Sequence, residues 1–246
     1  SAAVIENACE FGIGMDGDGD RIGVVDEEGR FIHPDRLMSL FVGDLLSSIN
    51  ENSGDEARKI FYDVKCSMAL EEIIEELGGI PVMVRTGHSF MKKLLRENPK
   101  SPMAGEMSGH FFLNDRWPGF DDSIYNACRL LEIVGRVSSP SRGGLKFSER
   151  FHQLPNYPST DEAKIPLPGD RDDVMSRIID SFSDMRYSEV DGIRVRYEDG
   201  WYLCRPSNTE PILVMRAEGR TGDALGKILR DVDSRIGSML DLTNLL

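Results

Sequence analysis

Three aspartates on alternate residues form the string with the clearest chemical potential in this sequence. Asp16, Asp18 and Asp20 belong to the string DGDGDR, in which the glycines let the carboxylates turn towards one point. Two such charges about 5 Å apart would repel each other by roughly 3 kcal/mol at an effective dielectric constant of 20. A loop that keeps three carboxylates together therefore requires a cation, and ligands made only of oxygen favour Mg²⁺ or Ca²⁺.

Two other interpretations of this loop are open, besides a solvated acidic turn. Counted as an EF-hand from Asp16, the ligand positions include Glu27, but Arg21 occupies the place of the obligatory glycine and strands replace the required helices. The haloacid-dehalogenase type of phosphatase also begins with a strand and Asp-x-Asp. In that interpretation Asp16 would be the nucleophile, although Asp20 stands where Thr or Val is usual.

The elements around this loop are predicted from apolar periodicity. Alternating apolar residues over 11–15 and 22–25 predict a strand on each side of it. Strands then alternate with helices, which implies a mostly parallel sheet covered on both faces. The predicted elements are a helix from Pro34, a strand at 60–64, a helix capped by Ser67, a strand at 80–84, a helix from Phe90, strands at 103–106 and 111–113, and a helix at 124–134 with Ala127, Leu130, Leu131 and Val134 inward.

The last part of the chain has a different order of elements. Residues 138–148, rich in serine, proline and glycine, are predicted to be a linker. Beyond them come a helix near 170–184, strands at 193–197, 201–204 and 212–216, and a helix at about 222–240. The fold class is therefore α/β: a mixed, mostly parallel sheet domain with flanking helices, followed by a smaller α+β domain with an antiparallel sheet.

Composition limits the partners. The 246 residues are 40% apolar and 29% charged, which is typical of globular proteins. The net charge of −13 predicts no nucleic-acid and no anionic-membrane partner, so an anionic substrate needs local bases or backbone donors. Four distant cysteines without a CxxC pair argue against a zinc site or a disulfide framework and predict a cytoplasmic protein. The start at Ser1 suggests a piece of a longer chain.

Three further strings complete a pattern with the aspartate loop. They are TGHS at 86–89, GEMSGH at 105–110 and RPSNTEP at 205–211. In this order, the four strings closely resemble those of the α-D-phosphohexomutases. The Glu-Met-Ser sequence within GEMSGH is similar to that of the phosphomannomutase/phosphoglucomutase branch, whereas the related phosphoglucosamine mutases usually carry Gln at the Met107 position.

The resemblance implies a division of the chain. Residues 1–30 would be the end of the family's second domain with the metal loop, 31–140 its sugar-binding third domain, and 150–246 its phosphate-binding fourth domain. The family's phosphorylated serine lies in a Ser-His-Asn type loop of the first domain, and this sequence contains no such string. The N-terminal half of the same protein is thus an expected partner, and the chain alone is expected to be inactive.

The chemistry that the resemblance implies is reversible movement of a phosphoryl group between the C1 and C6 oxygens of a hexose, mannose or glucose. The phosphoserine gives its group to the phosphosugar substrate, the hexose 1,6-bisphosphate reorients, and the enzyme recovers a phosphoryl group from the other end. Such transfer is catalysed mainly by positioning and charge neutralisation, with Mg²⁺ as cofactor.

The resemblance also assigns roles to residues. Asp16, Asp18 and Asp20 would hold Mg²⁺, and Arg21, Lys65 and His110 would be catalytic. Arg21 has an alternative role as counter-ion of the aspartates. The residues expected to bind substrate are His88, Glu106, Ser108, Arg205, Ser207, Asn208, Thr209 and Arg216.

The residue types suit these roles. A histidine such as His110, with a pKa near 6.5, can move a hydroxyl proton, and a Glu–Ser pair such as Glu106 and Ser108 suits adjacent sugar hydroxyls. His88 is predicted at a strand-to-helix junction, where backbone N–H groups attract oxygens, and Lys65 at the carboxyl edge of the sheet. Each could instead be a structural histidine or a surface charge.

The phosphate of the substrate that is not reacting is expected to bind at 205–211. Arg205 with hydroxyl, amide and backbone donors would form the cradle, and Arg216 on the next strand would add charge. A polar hairpin tip is the alternative. Two positions depart from the family, Trp117-Pro118 and Ser123, and neither is expected to touch a ligand. Other functions left open are a non-catalytic metal or anion-binding module and an aspartyl phosphatase.

Overall fold

The chain forms two compact units, Ser1–Pro155 and Asn156–Leu246. The computed structural model describes residues 1–137, 144–207 and 209–245, apart from the side chains at 51 and 137. Residues 138–143 of the predicted linker lie outside these ranges. Within these ranges, no helix combines the length and the apolar composition that a membrane span requires.

The first unit begins with a small antiparallel sheet, which confirms the predicted strand–loop–strand around the aspartates. Met15 pairs with Ile22, so the loop at 16–21 joins adjacent strand ends. A short third strand and an initial helix were not predicted. The elements are α1 (Ala2–Glu6), β1 (Phe11–Met15), β2 (Ile22–Asp26) and β3 (Phe31–Ile32).

The second sheet of this unit is mixed and mostly parallel, as expected. Its strand order is β5-β4-β6-β7; β4 runs parallel to both of its neighbours, and only β6 and β7 pair antiparallel. The carboxyl ends of β4 and β5 therefore lie at the same edge. The strands are β4 (Lys59–Asp63), β5 (Ile80–Val84), β6 (Met103–Gly105) and β7 (Phe111–Leu113).

Helices cover both faces of this sheet. Ile60 and Tyr62 face one side and share a core with α2, α3 and α5, while Phe61 faces the other side and packs with α4. The prediction that Leu131 faces inward is wrong, because Leu131 is exposed and Ile133 is buried in its place. The buried face of α5 is therefore turned about the helix axis, away from Leu131 and towards Ile133. The helices are α2 (Pro34–Ser47), α3 (Met68–Glu76), α4 (His88–Glu97) and α5 (Ser123–Val137).

Local signals explain where these helices begin. Pro34 occupies the first turn of α2, where its missing N–H costs nothing. The hydroxyl of Ser67 accepts a hydrogen bond of 3.0 Å from the N–H of Ala69 and caps α3. Short 3₁₀ helices precede β4, at Glu51–Ser53 and Asp55–Arg58, and overlap the end of the predicted linker, at Ser148–Phe151. The linker prediction is wrong at Phe147, which is buried in the core of the first unit and stacked on Phe11, with 4.6 Å between ring centroids.

The second unit is the expected smaller α+β domain with an antiparallel sheet. Its strand order is β8-β12-β11-β10-β9, and every pairing is antiparallel. One face, with Val195, Tyr202 and Met215, packs against α6 and α7. The elements are β8 (Ala163–Pro166), α6 (Arg171–Ser181), β9 (Arg186–Ser188), β10 (Ile193–Tyr197), β11 (Gly200–Pro206), β12 (Ile212–Gly219) and α7 (Gly222–Ile236).

The strands β8 and β9 are additions to the prediction, and α7 ends before the expected residue 240. The predicted domain borders at residue 30 and at 140–150 stay predictions.

Candidate active site

The aspartate loop is organised around one carboxylate. Asp16 Oδ1 accepts hydrogen bonds from the backbone N–H groups of Asp20 and Arg21, at 3.2 and 3.1 Å. The Arg21 Nε donates to Asp16 Oδ2 and lies 3.7 Å from Asp20 Oδ1. Arg21 therefore acts as a counter-ion of the aspartates here, the alternative to a contact with phosphate.

This arrangement keeps the loop anionic. Desolvation opposes ionisation of Asp16, but the hydrogen bonds from the backbone and guanidinium of Arg21 outweigh it and hold the pKa of Asp16 well below its usual range. One oxygen from each of Asp16, Asp18 and Asp20 lies within 4.8 Å of the others. The buried Asp20 Oδ1 accepts no hydrogen bond. Three converging carboxylates with a buried oxygen that lacks a donor fit a hard divalent cation.

The EF-hand interpretation of the loop is wrong. Strands β1 and β2 flank it, where an EF-hand needs helices. The carboxylate of Glu27, counted as the last ligand, instead accepts hydrogen bonds from the N–H and the hydroxyl of Ser148, at 3.1 and 2.6 Å.

Ser123 anchors the aspartate loop to α5. Its N–H and its hydroxyl both donate to the carbonyl of Gly19, at 2.9 and 2.8 Å, and the side chain is fully buried. Ser123 thus contacts the backbone between two of the predicted metal ligands. Sequence reasoning noticed this position only as a departure from the family and did not expect that contact.

The loop that carries Glu106 lies directly against the start of β2. The N–H of Ile22 donates to the carbonyl of Gly109 at 3.1 Å. Gly109 has a φ of +94°, and a Cβ there would lie 2.8 Å from the Ile22 carbonyl oxygen. Only glycine fits this contact, which places the Glu106 loop beside the aspartate loop.

His110 connects the two loops through its side chain. Its Nδ1 lies 2.8 Å from Ser108 Oγ and 3.3 Å from Glu106 Oε2, while its Nε2 lies 3.4 Å from Asp20 Oδ2. Burial lowers the pKa of His110, but the neighbouring carboxylates of Glu106 and Asp20 outweigh burial and raise the pKa above its usual value. The imidazole can therefore carry a proton near neutral pH.

Glu106 is buried and reaches the start of α4. Its Oε1 accepts a hydrogen bond of 2.6 Å from the N–H of Gly87, the residue before the helix, which has a φ of +145°. His88 begins the helix at the predicted strand-to-helix junction. One of the backbone donors expected there for a ligand is thus taken by Glu106.

His88 brings two residues that sequence reasoning missed into the site. Its ring stacks on that of His110, with centroids 5.5 Å apart, and its Nδ1 lies 3.4 Å from Asp121 Oδ2. Asp121 Oδ1 accepts a hydrogen bond of 2.8 Å from Lys92 Nζ. The spacing of Lys92 four residues after His88 on one helix was the available signal for Lys92.

A third missed residue, Asp63, ties the surrounding segments together at the end of β4. It is fully buried, and its Oδ1 lies within 3.2–3.4 Å of the N–H of Lys65, the Sγ of Cys66 and the N–H of Met107. Its Oδ2 lies 3.3 Å from the hydroxyl of Thr86. Burial raises the pKa of Asp63, against the attraction of the nearby buried Lys65. Lys65 is thus joined to the Glu106 loop through this carboxyl.

The second unit holds the residues predicted to bind phosphate. Arg205 lies on β11, opposite Val214. This corrects the prediction, which ended the strand at residue 204 and placed Arg205 in the following loop, because the strand continues to Pro206. Arg205 Nε donates to Asp191 Oδ2 at 2.8 Å. Gly192, with a φ of +73°, lets the chain pass so close to β11 that a Cβ would lie 2.3 Å from a carbonyl oxygen.

The tip of this hairpin is polar, which suits both the predicted phosphate cradle and its alternative, a plain polar turn. Ser207 Oγ lies 3.3 and 3.2 Å from the backbone N–H groups of Thr209 and Glu210 and accepts hydrogen bonds from both. The predicted ligand Asn208 lies outside the described residues.

Arg216 lies on the same sheet face as Arg205 and is buried. Its Nη2 donates to Ser159 Oγ at 3.2 Å. Its guanidinium lies 5.9 Å, and that of Arg194 4.2 Å, from the centroid of the Trp201 ring. Sequence reasoning missed Arg194 and Trp201, although an arginine among the alternating apolar residues of β10 was a signal that this face is not apolar.

The comparisons with known proteins identify one family. A family model described as phosphoglucomutase/phosphomannomutase, alpha/beta/alpha domain III, matches residues 33–156, and one described as the C-terminal domain matches residues 162–235. The chain belongs to the phosphoglucomutase/phosphomannomutase family. The resemblance identified from the four strings is thereby confirmed.

Individual proteins of the family are similar over nearly the whole chain. The phosphomannomutase/phosphoglucomutase of Pseudomonas putida is 41% identical over 231 residues, which is 92% of this chain and 47% of that protein. A crystal structure of a phosphoglucomutase/phosphomannomutase family protein from Burkholderia thailandensis is 40% identical, with a TM-score of 0.83 over 96% of this chain and 48% of that one. The chain thus spans about half the length of these relatives.

A more distant structure shares the fold alone. N-acetylphosphoglucosamine mutase from Aspergillus fumigatus, in complex with GlcNAc-6P and magnesium, is 17% identical with a TM-score of 0.62, over 91% of this chain and 51% of that one.

Proposed function

We propose that this chain supplies three of the four active-site loops of a phosphohexomutase that interconverts hexose 1-phosphate and hexose 6-phosphate. The observation that carries the proposal is the junction of loops in the first unit. Glu106 accepts from Gly87 N–H at 2.6 Å, and His110 lies 3.4 Å from Asp20. Residues of three separate strings, those that begin at 16, 86 and 105, are thus neighbours. They include the predicted sugar ligand Glu106, the predicted proton-transfer group His110 and the predicted metal ligand Asp20.

Magnesium is the proposed cofactor. Asp16, Asp18 and Asp20 would hold it, and when bound it would neutralise charge on the transferred phosphoryl group. Their converging oxygens and the magnesium complex of the Aspergillus fumigatus relative support this assignment. Arg21 would orient phosphate oxygens once it exchanges part of its contact with Asp16 for them.

His110, Lys65, Glu106 and Ser108 would act on the sugar. His110 would move a hydroxyl proton at Nε2, while Ser108 and Glu106 on its Nδ1 side hold the ring in place. Lys65, buried beside Asp63, would supply a charge at the reacting oxygen. Glu106 would accept a hydrogen bond from one sugar hydroxyl, and Ser108 would donate to or accept from the adjacent one. His88, at the start of α4, would also contact the sugar.

The phosphate that is not reacting would bind the second unit. Arg205 and Arg216 would provide charge, and the residues at 207–209 would provide hydroxyl, amide and backbone donors. A buried guanidinium fixed by Asp191 is already oriented, which reduces the entropy lost on binding.

The remaining parts of the proposal concern what acts with this chain. The phosphoserine would come from the N-terminal half of the same protein, and hexose 1,6-bisphosphate would be the intermediate and activator. The protein would work in the cytoplasm, without nucleic-acid or membrane partners. The chain of 246 residues alone would show no turnover; mutase activity in a preparation cleared of host enzymes would contradict that point.

The test is a calorimetric titration of glucose 1-phosphate and mannose 1-phosphate into the chain and into Arg205→Ala. A matched control is Arg230→Ala, which removes the same charge from the exposed side of α7, the helix on the opposite face of the sheet. We expect binding of both sugars, lost in Arg205→Ala and kept in Arg230→Ala.

Each other outcome has a meaning. Equal binding by Arg205→Ala and the unaltered chain would contradict the assigned phosphate cradle. Where the chain binds neither sugar, the same titration with the full-length protein decides, and absence of binding there refutes the mutase proposal. An aspartyl phosphatase would instead form a beryllium fluoride adduct on Asp16. The hydrogen bonds on both Asp16 oxygens do not favour a nucleophile there.

A further inference from the structure

Four side chains in the first unit form a second group of potential metal ligands. Asp20, His88, His110 and Asp121, here called the His–Asp cluster, each offer one atom, and the four atoms lie within 4.8 Å of one another. Two of the distances are shorter: His110 Nε2 to Asp20 Oδ2 and His88 Nδ1 to Asp121 Oδ2 are both 3.4 Å.

These distances suit a four-coordinate ion. Bonds of about 2.0–2.2 Å to a tetrahedral zinc place neighbouring ligand atoms about 3.3–3.6 Å apart. The two short pairs already meet this spacing, and the remaining pairs need only side-chain adjustments. We propose that the His–Asp cluster is a binding site for a divalent transition-metal ion such as Zn²⁺, different in chemistry from the three-aspartate loop.

The surroundings of His110 prepare its outer nitrogen for a metal. Ser108 Oγ and Glu106 Oε2 both lie at Nδ1, at 2.8 and 3.3 Å, so Nε2 is the nitrogen that faces Asp20. A carboxylate behind a ligating imidazole fixes its tautomer and raises its basicity, an arrangement that recurs at zinc sites. Glu106 is itself held by Gly87 N–H at 2.6 Å, so this support is rigid.

Asp121 gives an independent indication of a missing cation. Its side chain is 6% exposed, and its Oδ2 is buried and accepts no hydrogen bond. A buried carboxylate oxygen without a donor is uncommon and costly, and a metal bond would satisfy it. Lys92 is the competing cation: its Nζ binds the other oxygen of Asp121 at 2.8 Å and lies 3.4 Å from His88 Nδ1, so binding of an ion requires Lys92 to leave that nitrogen while it keeps Asp121 Oδ1.

The two groups of ligands should select different ions. Two imidazoles with two carboxylates suit zinc and its neighbours, whereas three aspartates suit Mg²⁺. The cysteine pattern argued against zinc, but this cluster uses no cysteine. Because Asp20 belongs to both groups, an ion in the cluster would engage a carboxylate of the magnesium loop, the proposed catalytic histidine His110 and the proposed substrate-binding residue His88. The consequence, inhibition by transition metals, rests on the proposed function; the site itself does not.

The experiment measures the affinities of two ions, Zn²⁺ and Mn²⁺, for the unaltered chain and for two isosteric variants. Zn²⁺ affinity is measured by competition with a chromophoric chelator, and Mn²⁺, as a substitute for Mg²⁺, by the electron paramagnetic resonance signal of the unbound ion. We expect Asp121→Asn to weaken Zn²⁺ binding about tenfold or more and to leave Mn²⁺ binding unchanged. Asp18→Asn should do the reverse, since Asp18 belongs only to the aspartate loop.

A third variant protects the test against misfolding. The side chain of His88 is 50% exposed, so His88→Gln should fold, and it should weaken Zn²⁺ binding as Asp121→Asn does. If Asp18→Asn loses Zn²⁺ binding while Asp121→Asn and His88→Gln keep it, zinc binds the aspartate loop and the proposal is overturned. Zn²⁺ binding no tighter than that of Mn²⁺ would also overturn it. Neither result depends on sugar binding, so failure here and failure of the mutase proposal remain distinguishable.

Discussion

The two units carry candidate sites of opposite charge. In the first, three aspartates, Glu106 and Asp121 converge with two histidines. In the second, Arg194, Arg205 and Arg216 lie buried on one face of an antiparallel sheet. The net charge of −13 therefore describes neither site, because it averages a region rich in carboxylates with a region rich in buried arginines.

The two sites also differ in how they are built. In the first unit, side chains of Asp63, Glu106 and Ser123 bond to the backbone of other loops. In the second, strand register places the arginines, and Asp191 only fixes the side chain of Arg205. We therefore expect substitutions that remove polar supports to cost stability in the first unit and to change mainly ligand affinity in the second.

The largest expected effect is that of Asp63→Ala. The change leaves N–H groups of two segments and a nearby buried lysine without their carboxyl, so the free energy of unfolding should fall by about 3–5 kcal/mol. Urea denaturation measures this. Asp55→Ala, at an exposed position, is the control and should stay within about 0.5 kcal/mol of the unaltered chain. A loss below about 1 kcal/mol for Asp63→Ala would contradict the assigned role.

Glu106→Gln should have the next largest effect. The buried carboxylate accepts a 2.6 Å hydrogen bond from Gly87 N–H and faces His110, and a neutral amide weakens both contacts. A loss of about 1.5–3 kcal/mol in the free energy of unfolding is expected, as for hydrogen bonds to charged groups. Glu97→Gln, exposed at the end of α4, is the matched control.

The same variant tests the titration of His110. Glu106 raises the pKa of His110 against the effect of burial, so Glu106→Gln should lower that pKa, measured by NMR in the presence of a chelator. Because the folded-state pKa lies above the unfolded one, protonated His110 stabilises the fold fully below the unfolded pKa. This contribution is lost as the pH rises through the folded value. An unchanged His110 pKa in the variant would show that other groups set it.

The sequence predicted the elements that have local causes. Pro34 and Ser67 mark helix starts, and the glycines of the aspartate loop mark the turn of a hairpin. Leu131 was misplaced because the buried stripe of a helix depends on the elements packed against it. The edge strands β8 and β9 were missed because they are short and have few apolar residues.

The site was predicted where strings carry it and missed where it depends on long-range contacts. Asp63 meets Met107 across 44 positions, and nothing near Asp63 in the sequence indicates that meeting. Asp121 is likewise joined to Lys92 across 29 positions. Local patterns name ligands, but only tertiary packing shows what holds them.

A smaller effect is expected from Ser123→Ala. The variant removes one of two hydrogen bonds to the Gly19 carbonyl and keeps the one from the backbone. Loss of such a bond costs about 0.5–1.5 kcal/mol, so the loop should bind Mn²⁺ about 2–10 times more weakly. Ser47→Ala, which removes a hydroxyl bonded to its own helix, should leave Mn²⁺ affinity unchanged. Equal affinities in both variants would show that the backbone bond alone positions the loop.

The smallest expected effect is in the second unit, with Asp191→Asn. The amide keeps an oxygen that can accept from Arg205 Nε, so the guanidinium stays oriented, while a negative charge beside the proposed phosphate site disappears. Glucose 1-phosphate should bind about 2–5 times more tightly in calorimetry, and the gain should shrink at high salt. Asp199→Asn, which removes the same charge from the exposed turn before β11, should change little. Weaker binding in Asp191→Asn would mean that the charge of Asp191 is needed to orient Arg205, and the strand register would then not suffice to build this site.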